Sequence, residues 1–288
     1  MPELPEVEYV RRMLRSAMEG ARITRVLARR PNLRYPFPPD FASRLEGQRV
    51  RAVERRAKYL LIDLASGDTL LMHLGMSGWF RVLPGAPGRK GPAYDRSDSR
   101  DNADDERFEK HDHVVFEMSN GKVVVFSDPR RFGFMTLHAP GELDTHAAVS
   151  TLGAEPLARG FTAAALAREL GRRKTSLKVA LLDQRVIAGL GNIYVSEALH
   201  RARLSPKRRA STLVTKSGDP RPAVHDLVNA IQDVLKKAIK NQYRTGSDDP
   251  FLVYDKEGQR CPRRGCTGTT KRIVQGGRST FYCAVCQR

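Results

Sequence analysis

Nowhere in its 288 residues does the chain hold a run of 18 apolar residues, so nothing in it reads as a membrane-spanning helix. The N-terminus, MPELPEVE, is acidic and proline-rich and lacks the basic start and apolar stretch of a secretory signal, which points to a cytoplasmic protein. No amphipathic helix with a basic face stands out, which argues against a membrane-surface protein. No internal repeat is visible. Cysteine is scarce: there are four, and all fall within the last 28 residues. Negative charge is short as well, with 32 Asp/Glu against 50 Lys/Arg and a formal net charge of +18. Apolar residues are not lacking. At 40% of the chain they exclude general disorder, and the length allows two domains with their own cores.

The excess of positive charge is uneven. Residues 1–150 carry 24 Lys/Arg against 21 Asp/Glu, a net +3, whereas residues 151–288 carry 26 against 11, a net +15. A polyanion-binding domain requires such a concentration. A solvated basic surface without a partner is the alternative that charge alone leaves open.

Apolar periodicity places a helix over Glu3–Glu19, with Val7, Val10, Leu14, Ala17 and Met18 near one face and Gly20 as its stop. Strands are expected at Ile23–Ala28, Val50–Glu54, Tyr59–Leu64, Thr69–Leu74, Val114–Met118 and Lys122–Phe126. The last two flank Asn120-Gly121, a hairpin signal. Strands with short turns suggest a sandwich or a barrel. Pro84–Glu109 changes to Gly, Pro, Asp, Arg and Ser, the composition of a mobile surface loop. From about residue 150 the pattern turns helical, at Ala163–Leu170, Ser176–Asp183, Tyr194–Ala202 and Ala223–Ile239. Short strands and turns surround the cysteines.

Pro2 follows the initiator methionine, and removal of Met1 would expose a secondary amine. An α-amine has a pKa of roughly 8 against roughly 10.4 for lysine, so far more of it is unprotonated at neutral pH. Such an amine attacking an aldehydic sugar carbon gives an iminium, a permanent cation and electron sink. Glu3 and Glu6, three apart on one helical turn, could shuttle protons or steady that cation. Taken alone, the same residues also describe an ordinary helix start with acids complementing the dipole.

Ala188-Gly189-Leu190-Gly191-Asn192 runs into a helix beginning near Tyr194, and glycines before a helix start expose amides to an anion; an ordinary helix–helix turn has the same look. The cysteines, Cys261, Cys266, Cys283 and Cys286, read C-x4-C-x16-C-x2-C. Two thiolate pairs suit one tetrahedral structural zinc ion, which would fold a segment too short for its own core; unbound or disulfide-linked cysteines are the alternative.

Six motifs, in order, resemble the formamidopyrimidine-DNA glycosylase family: MPELPEVE, RRAKYLL around Lys58, HLGMSG at His73–Gly78, KHDH at Lys110–His113, DPRRFG at Asp128–Gly133 and GNIYVSEAL at Gly191–Leu199. They cover most of the chain. The sister family, endonuclease VIII, is matched less well, because it has glycine where this chain has Leu4. The resemblance implies an α+β fold: an N-terminal β-sandwich with an N-terminal helix over 1–145, a helix–two-turn–helix DNA-binding domain over 150–245, and a zinc finger over 250–288. It implies a monomeric repair enzyme acting on damaged double-stranded DNA, excising oxidised purines (ring-opened formamidopyrimidines and 8-oxoguanine) and cleaving the abasic strand by β,δ-elimination.

Residue by residue, the resemblance makes Pro2 the nucleophile and Glu3 the proton donor to the opening sugar, with Glu6 positioning. Lys58 would contact the lesion's phosphate and help proton transfer. Met76, Arg130 and Phe132 would fill the hole left by the flipped base. His111, Arg131, Lys178, Asn192 and Tyr194 would meet the DNA backbone, and Arg278 would grip phosphate from the finger. Read without the family, Met76 and Phe132 could equally be core residues, although Gly75, Gly78 and the arginine pair favour exposed loops.

The chain departs from the family in three places. Arg263 and Arg264 widen the first cysteine pair from the family's C-x2-C. The loop from Pro84 to Glu109 is long. Only Asn241–Pro250 separates the last helix from Phe251, where relatives carry a long loop closing over the flipped base; weakened discrimination of 8-oxoguanine is therefore expected. Two other readings remain open at this stage: an endonuclease VIII-like enzyme for oxidised pyrimidines, and a non-catalytic protein that binds lesions or gaps.

Overall fold

A computed structural model describes residues 2–84, 108–241 and 251–288. The expected loops at Pro84–Glu109 and Asn241–Pro250 fall almost wholly outside these residues. Two compact units emerge, one of Pro2 with Glu6–Ser150 and one of Glu3–Pro5 with Thr151–Arg288.

The first unit is a sandwich of two antiparallel sheets. Helix α1 (Leu4–Met18) leads into it and ends at Gly20, whose φ of +81° stops the helix without a Cβ penalty. One sheet has the order β1 (Ile23–Ala28), β6 (Asp112–Met118), β7 (Lys122–Ser127), β5 (Trp79–Pro84). The other runs β2 (Val50–Arg56), β3 (Tyr59–Leu64), β4 (Thr69–His73), β8 (Phe134–His138). Alternate residues of β3, Leu60, Ile62 and Leu64, are fully buried, and they pack with Val114, Phe116, Val124 and Phe126 of the first sheet and Val7, Val10 and Leu14 of α1. β6 and β7 are apolar on both faces because Val115, Val123 and Val125 meet Phe108 in a second cluster on the far side. Asn120-Gly121 makes the expected hairpin. Gly121 has φ +80°, and the Asn120 amide donates to the carbonyl of Ala17, tying the turn to the end of α1.

Two strands, β5 and β8, go beyond the sequence expectation, as do the short helices α2 (Phe41–Leu45), α3 (Glu142–Thr145) and α4 (Ala147–Ser150). β5 reads poorly as a strand because only Phe80 is buried and Pro84 ends it. Its identity comes from pairing with β7.

The second unit is helical. It contains α5 (Ala163–Gly171), α6 (Leu177–Leu182), α7 (Asn192–Arg201) and α8 (Pro222–Asn241), with a 3-10 turn at Ala210–Leu213 and a hairpin of β9 (Thr270–Gln275) and β10 (Arg278–Cys283). Thr162 caps α5 by accepting from the Ala165 amide, and Pro222 opens α8 where no amide is needed. Leu177, Leu181, Leu190, Val195, Leu199, Leu227 and Ile231 form one core. The loop between α6 and α7 is organised by Gln184, which donates to the carbonyls of Leu182 and Leu190 and accepts from the Gly189 amide.

Candidate functional site

Glu3 is 2% exposed, and its carboxylate caps α7. Oε1 accepts from the Ile193 amide at 2.8 Å and Oε2 from the Tyr194 amide at 3.4 Å. The first amides of a helix have no intrahelical partner and carry its positive dipole end, so a carboxylate brought there is doubly favoured. The helix accordingly begins at Asn192, two residues before the expected start. Two glycines make room. A Cβ on Gly191 would lie 2.3 Å from Glu3 Cδ, and one on Gly189, at φ +88°, would lie 2.8 Å from Leu4 Cδ1. Gly191 thus receives a carboxylate of this chain, and Gly189 the side chain of Leu4. Pro2, half-buried, is the residue before it, and Glu6 is half-buried in the next turn.

Lys58 follows Ala57, which takes φ +54° in the β2–β3 turn, and is 8% exposed. Its charge reaches His73, whose pKa falls to about 4 through burial first and then Lys58 and Arg34. His73 is therefore neutral, and its Nδ1 accepts from the Gly75 amide at 3.0 Å.

Gly75 opens the turn carrying Met76. Met76 and Phe132 are 42% and 41% exposed, unusual for such side chains, and Arg130 stacks over the Phe132 ring at 4.7 Å. Both lie in loops, not in the core. A Cβ on Gly75 would meet Phe132 and Gly133 backbone at 2.4 Å, so the two loops touch main chain to main chain. Asp128, fully buried, binds them together: Oδ1 accepts from Ser77 Oγ at 2.6 Å and Oδ2 from the Gly133 amide at 2.8 Å. Its amide also donates to the carbonyl of His111. His111, Arg130 and Arg131 are exposed beside them, with Arg131 at φ +55°. Sequence reasoning misses Asp128 and Ser77. The carboxylate ahead of Pro129 in DPRRFG is the one signal that could have found them.

In the second unit, Arg278 stands exposed where the hairpin turn enters β10. Lys178 is fully buried; its Nζ donates to the Ser279 carbonyl at 2.8 Å and to Thr280 Oγ1 at 2.7 Å. Burial, then the charge of Arg278, lowers its pKa to about 8, with Glu3 opposing. Asn192 Nδ2 donates to the same Ser279 carbonyl at 3.0 Å. Tyr194 is buried, its ring edge-on to Phe251.

The four cysteines converge, with all ligand atoms within 4.8 Å of one another. Cys261 and Cys286 sulfurs are 3.8 Å apart and those of Cys266 and Cys283 3.6 Å, far beyond a disulfide bond. Tetrahedral zinc with Zn–S bonds of about 2.3 Å separates its sulfurs by about 3.8 Å, so the site fits one structural zinc ion.

Three family models match consecutive parts of the chain: the formamidopyrimidine-DNA glycosylase N-terminal domain at residues 1–135, the formamidopyrimidine-DNA glycosylase H2TH domain at 152–249, and the zinc finger found in FPG and IleRS at 258–288. The chain is 54% identical over 299 residues to the formamidopyrimidine-DNA glycosylase of Rhodopseudomonas palustris (strain HaA2), and 53% identical over 300 residues to that of Bradyrhizobium sp. (strain ORS 278), each alignment covering both chains completely. Among solved structures it is similar to the Lactococcus lactis enzyme non-covalently bound to DNA containing an AP site, with a TM-score of 0.81, 29% identity and 99% of both chains covered. It is also similar to the MutM (Fpg) protein of Thermus thermophilus, with a TM-score of 0.77, 33% identity, and 99% and 98% coverage.

Proposed function

This chain belongs to the formamidopyrimidine-DNA glycosylase family, and from the geometry at its N-terminus we infer that Pro2 and Glu3 carry out the chemistry of a combined DNA glycosylase and abasic-site lyase. The substrate is damaged double-stranded DNA holding oxidised purines, ring-opened formamidopyrimidines among them; a Lactococcus lactis relative has been solved with DNA containing FAPY-dG. Relatives from bacteria support an enzyme of the bacterial cytoplasm acting on the nucleoid.

With Met1 removed, the Pro2 imino nitrogen attacks C1′ of the damaged nucleotide, the base departs, and a C1′ iminium forms. The iminium draws electrons, so loss of a C2′ proton expels the 3′ phosphate, and a second elimination expels the 5′ phosphate. The observation that carries this reading is the Glu3 carboxylate, buried beside Pro2 and oriented by two amides. With Oε1 held at 2.8 Å and Oε2 at 3.4 Å, the carboxyl group is placed to exchange a proton with the opening sugar ring. Glu6 assists in positioning, and Lys58 meets the lesion's phosphate.

Met76, Arg130 and Phe132 enter the space of the extruded base. Exposure of all three on two loops held by one carboxylate supports that role. His111, Arg131 and Arg278 grip phosphate. Lys178 and Asn192 act by holding the Ser279 carbonyl and thereby placing Arg278, and Tyr194 packs behind them. The zinc, held by Cys261, Cys266, Cys283 and Cys286, keeps that hairpin folded. The division into 1–145, 150–245 and 250–288 follows these three tasks.

Borohydride reduction during reaction with a lesion duplex tests the scheme, since only an iminium is captured covalently on DNA. Capture is expected. Glu3→Gln abolishes base removal and leaves duplex binding nearly intact; excision above a tenth of the wild-type rate overturns the role of that carboxylate. Single-turnover excision of each lesion opposite cytosine tests the expected weakening toward 8-oxoguanine, which a strong 8-oxoguanine preference would refute.

A further inference from the structure

The widened cysteine knuckle and a buried histidine have no part in the chemistry above. His200, near the C-terminal end of α7, is 2% exposed, and its Nε2 lies 3.4 Å from Cys261 Sγ. Its Nδ1 is buried and finds no partner among the described residues. In the neutral ring a proton on Nδ1 would be a buried donor without an acceptor, so the proton belongs on Nε2, directed at the sulfur. The contact is answered from the finger. Arg263, one of the residues that widen the first pair, donates from Nη2 to the His200 carbonyl at 2.5 Å and contacts the Arg201 carbonyl at 3.4 Å. These belong to the last turn of α7, whose carbonyls lack helical donors and carry the negative end of the dipole.

We propose that His200 and Arg263 are a reciprocal positioning pair for the zinc site, the imidazole N–H donating to the Cys261 thiolate and the guanidinium fastening the knuckle to the end of α7. Four thiolates against one divalent cation leave two negative charges in a largely buried cluster, and a donor to sulfur offsets part of that excess. Such second ligands orient the first and typically change metal affinity 10–100-fold. The two extra residues in Cys261–Cys266 thus give the knuckle its reach to α7. The same helix cradles Glu3 at its other end, about 10 Å away at 1.5 Å per residue, so the pair ties the metal site to the helix that orients the proposed acid. The inference rests on the four-thiolate zinc site and is independent of the roles assigned to Pro2 and Glu3.

The test follows zinc release from the full-length, zinc-loaded protein into excess chelator. His200→Phe, which keeps the ring and removes the donor, should release zinc about 10–100-fold faster. His200→Gln, whose amide can still donate, should recover most of the difference. In cobalt-substituted protein, the thiolate-to-metal charge-transfer band should move to lower energy in His200→Phe, because a sulfur without its N–H donor gives up electrons more readily. Release within twofold of wild type, an unmoved band, or a Gln variant no better than Phe each overturns the proposal. Should His200→Phe fail to fold, Arg263→Ala carries the test: it should release zinc several-fold faster, and unchanged release refutes the tie.

Discussion

Replacing Gly191 by alanine adds one methyl group, and its consequence can be worked out from the structure. The backbone there is extended, at φ −126° and ψ −165°, so alanine meets no conformational penalty. The cost is contact. The new Cβ would sit 2.3 Å from Glu3 Cδ, 2.5 Å from Oε1 and 2.7 Å from Cγ, where ordinary contact begins near 3.4 Å. The carboxyl group must retreat by about 1 Å, enough to break the 2.8 Å bond to Ile193 and the weaker one to Tyr194. Misplacement of a reacting group by about 1 Å costs on the order of 100-fold in rate, equivalent to about 2.7 kcal/mol of barrier. Single-turnover excision of a ring-opened purine from duplex DNA should therefore fall about 100-fold in Gly191→Ala. Duplex affinity should change little, because the three atoms nearest the new methyl all belong to Glu3, which is buried. Borohydride capture on a preformed abasic site should persist, since Pro2 meets an aldehydic C1′ there with no base left to displace. Excision within threefold of wild type would show that the position of Glu3 does not govern the chemistry.

The remaining expectations concern other contacts. Asp128→Ala removes the acceptor shared by Ser77 and Gly133; losing two charge-assisted bonds should cost about 3 kcal/mol or more in urea denaturation, and excision should fall at least tenfold as the Met76 and Phe132 loops separate. His73 has a folded pKa of about 4 against an ordinary 6.5, so the unfolded chain binds more protons between these values; stability should fall as pH drops from 6.5 to about 4, and His73→Phe should flatten that slope in thermal melts. Zinc removal should unfold the β9–β10 hairpin, visible by circular dichroism, and weaken duplex binding, whereas zinc-free protein binding DNA normally would contradict the role given to Arg278.

The parts legible in the sequence are those decided by neighbouring residues. The bounds of β1 and β3 are those expected from short apolar runs, the β6–β7 turn follows from Asn120-Gly121, and the end of α1 from Gly20. β8 escapes the sequence expectation, and it is a strand by virtue of its pairing with β4. The start of α7 is misread for a related reason: its cap is Glu3, some 190 residues away in sequence. Motifs tell which side chains to watch but not what holds them. Asp128 heads the DPRRFG motif, but its role is not legible there because its partners, Ser77 and Gly133, come together only when the two loops meet. Gly191 reads as an anion-binding glycine, and the anion it accommodates is internal.

The positive charge that first marked the second half divides by burial into two different kinds. Lys178 is fully buried, with two of its three ammonium protons directed at Ser279 and Thr280, and Asn192 donates to the same Ser279 carbonyl. A carbonyl accepting from an ammonium and an amide is fixed in position, and Arg278 is the residue immediately before it. A long arginine on a bare hairpin would lose much rotamer freedom on meeting a phosphate, and a preset backbone reduces how much must be ordered. On the reading proposed above, Lys178 would contribute to DNA affinity at one remove, and net charge counted along the chain would overstate how many cations release counterions. The salt dependence of binding should be governed by exposed cations such as Arg278, Arg130 and Arg131, with Lys178 changing affinity but leaving the salt slope nearly untouched.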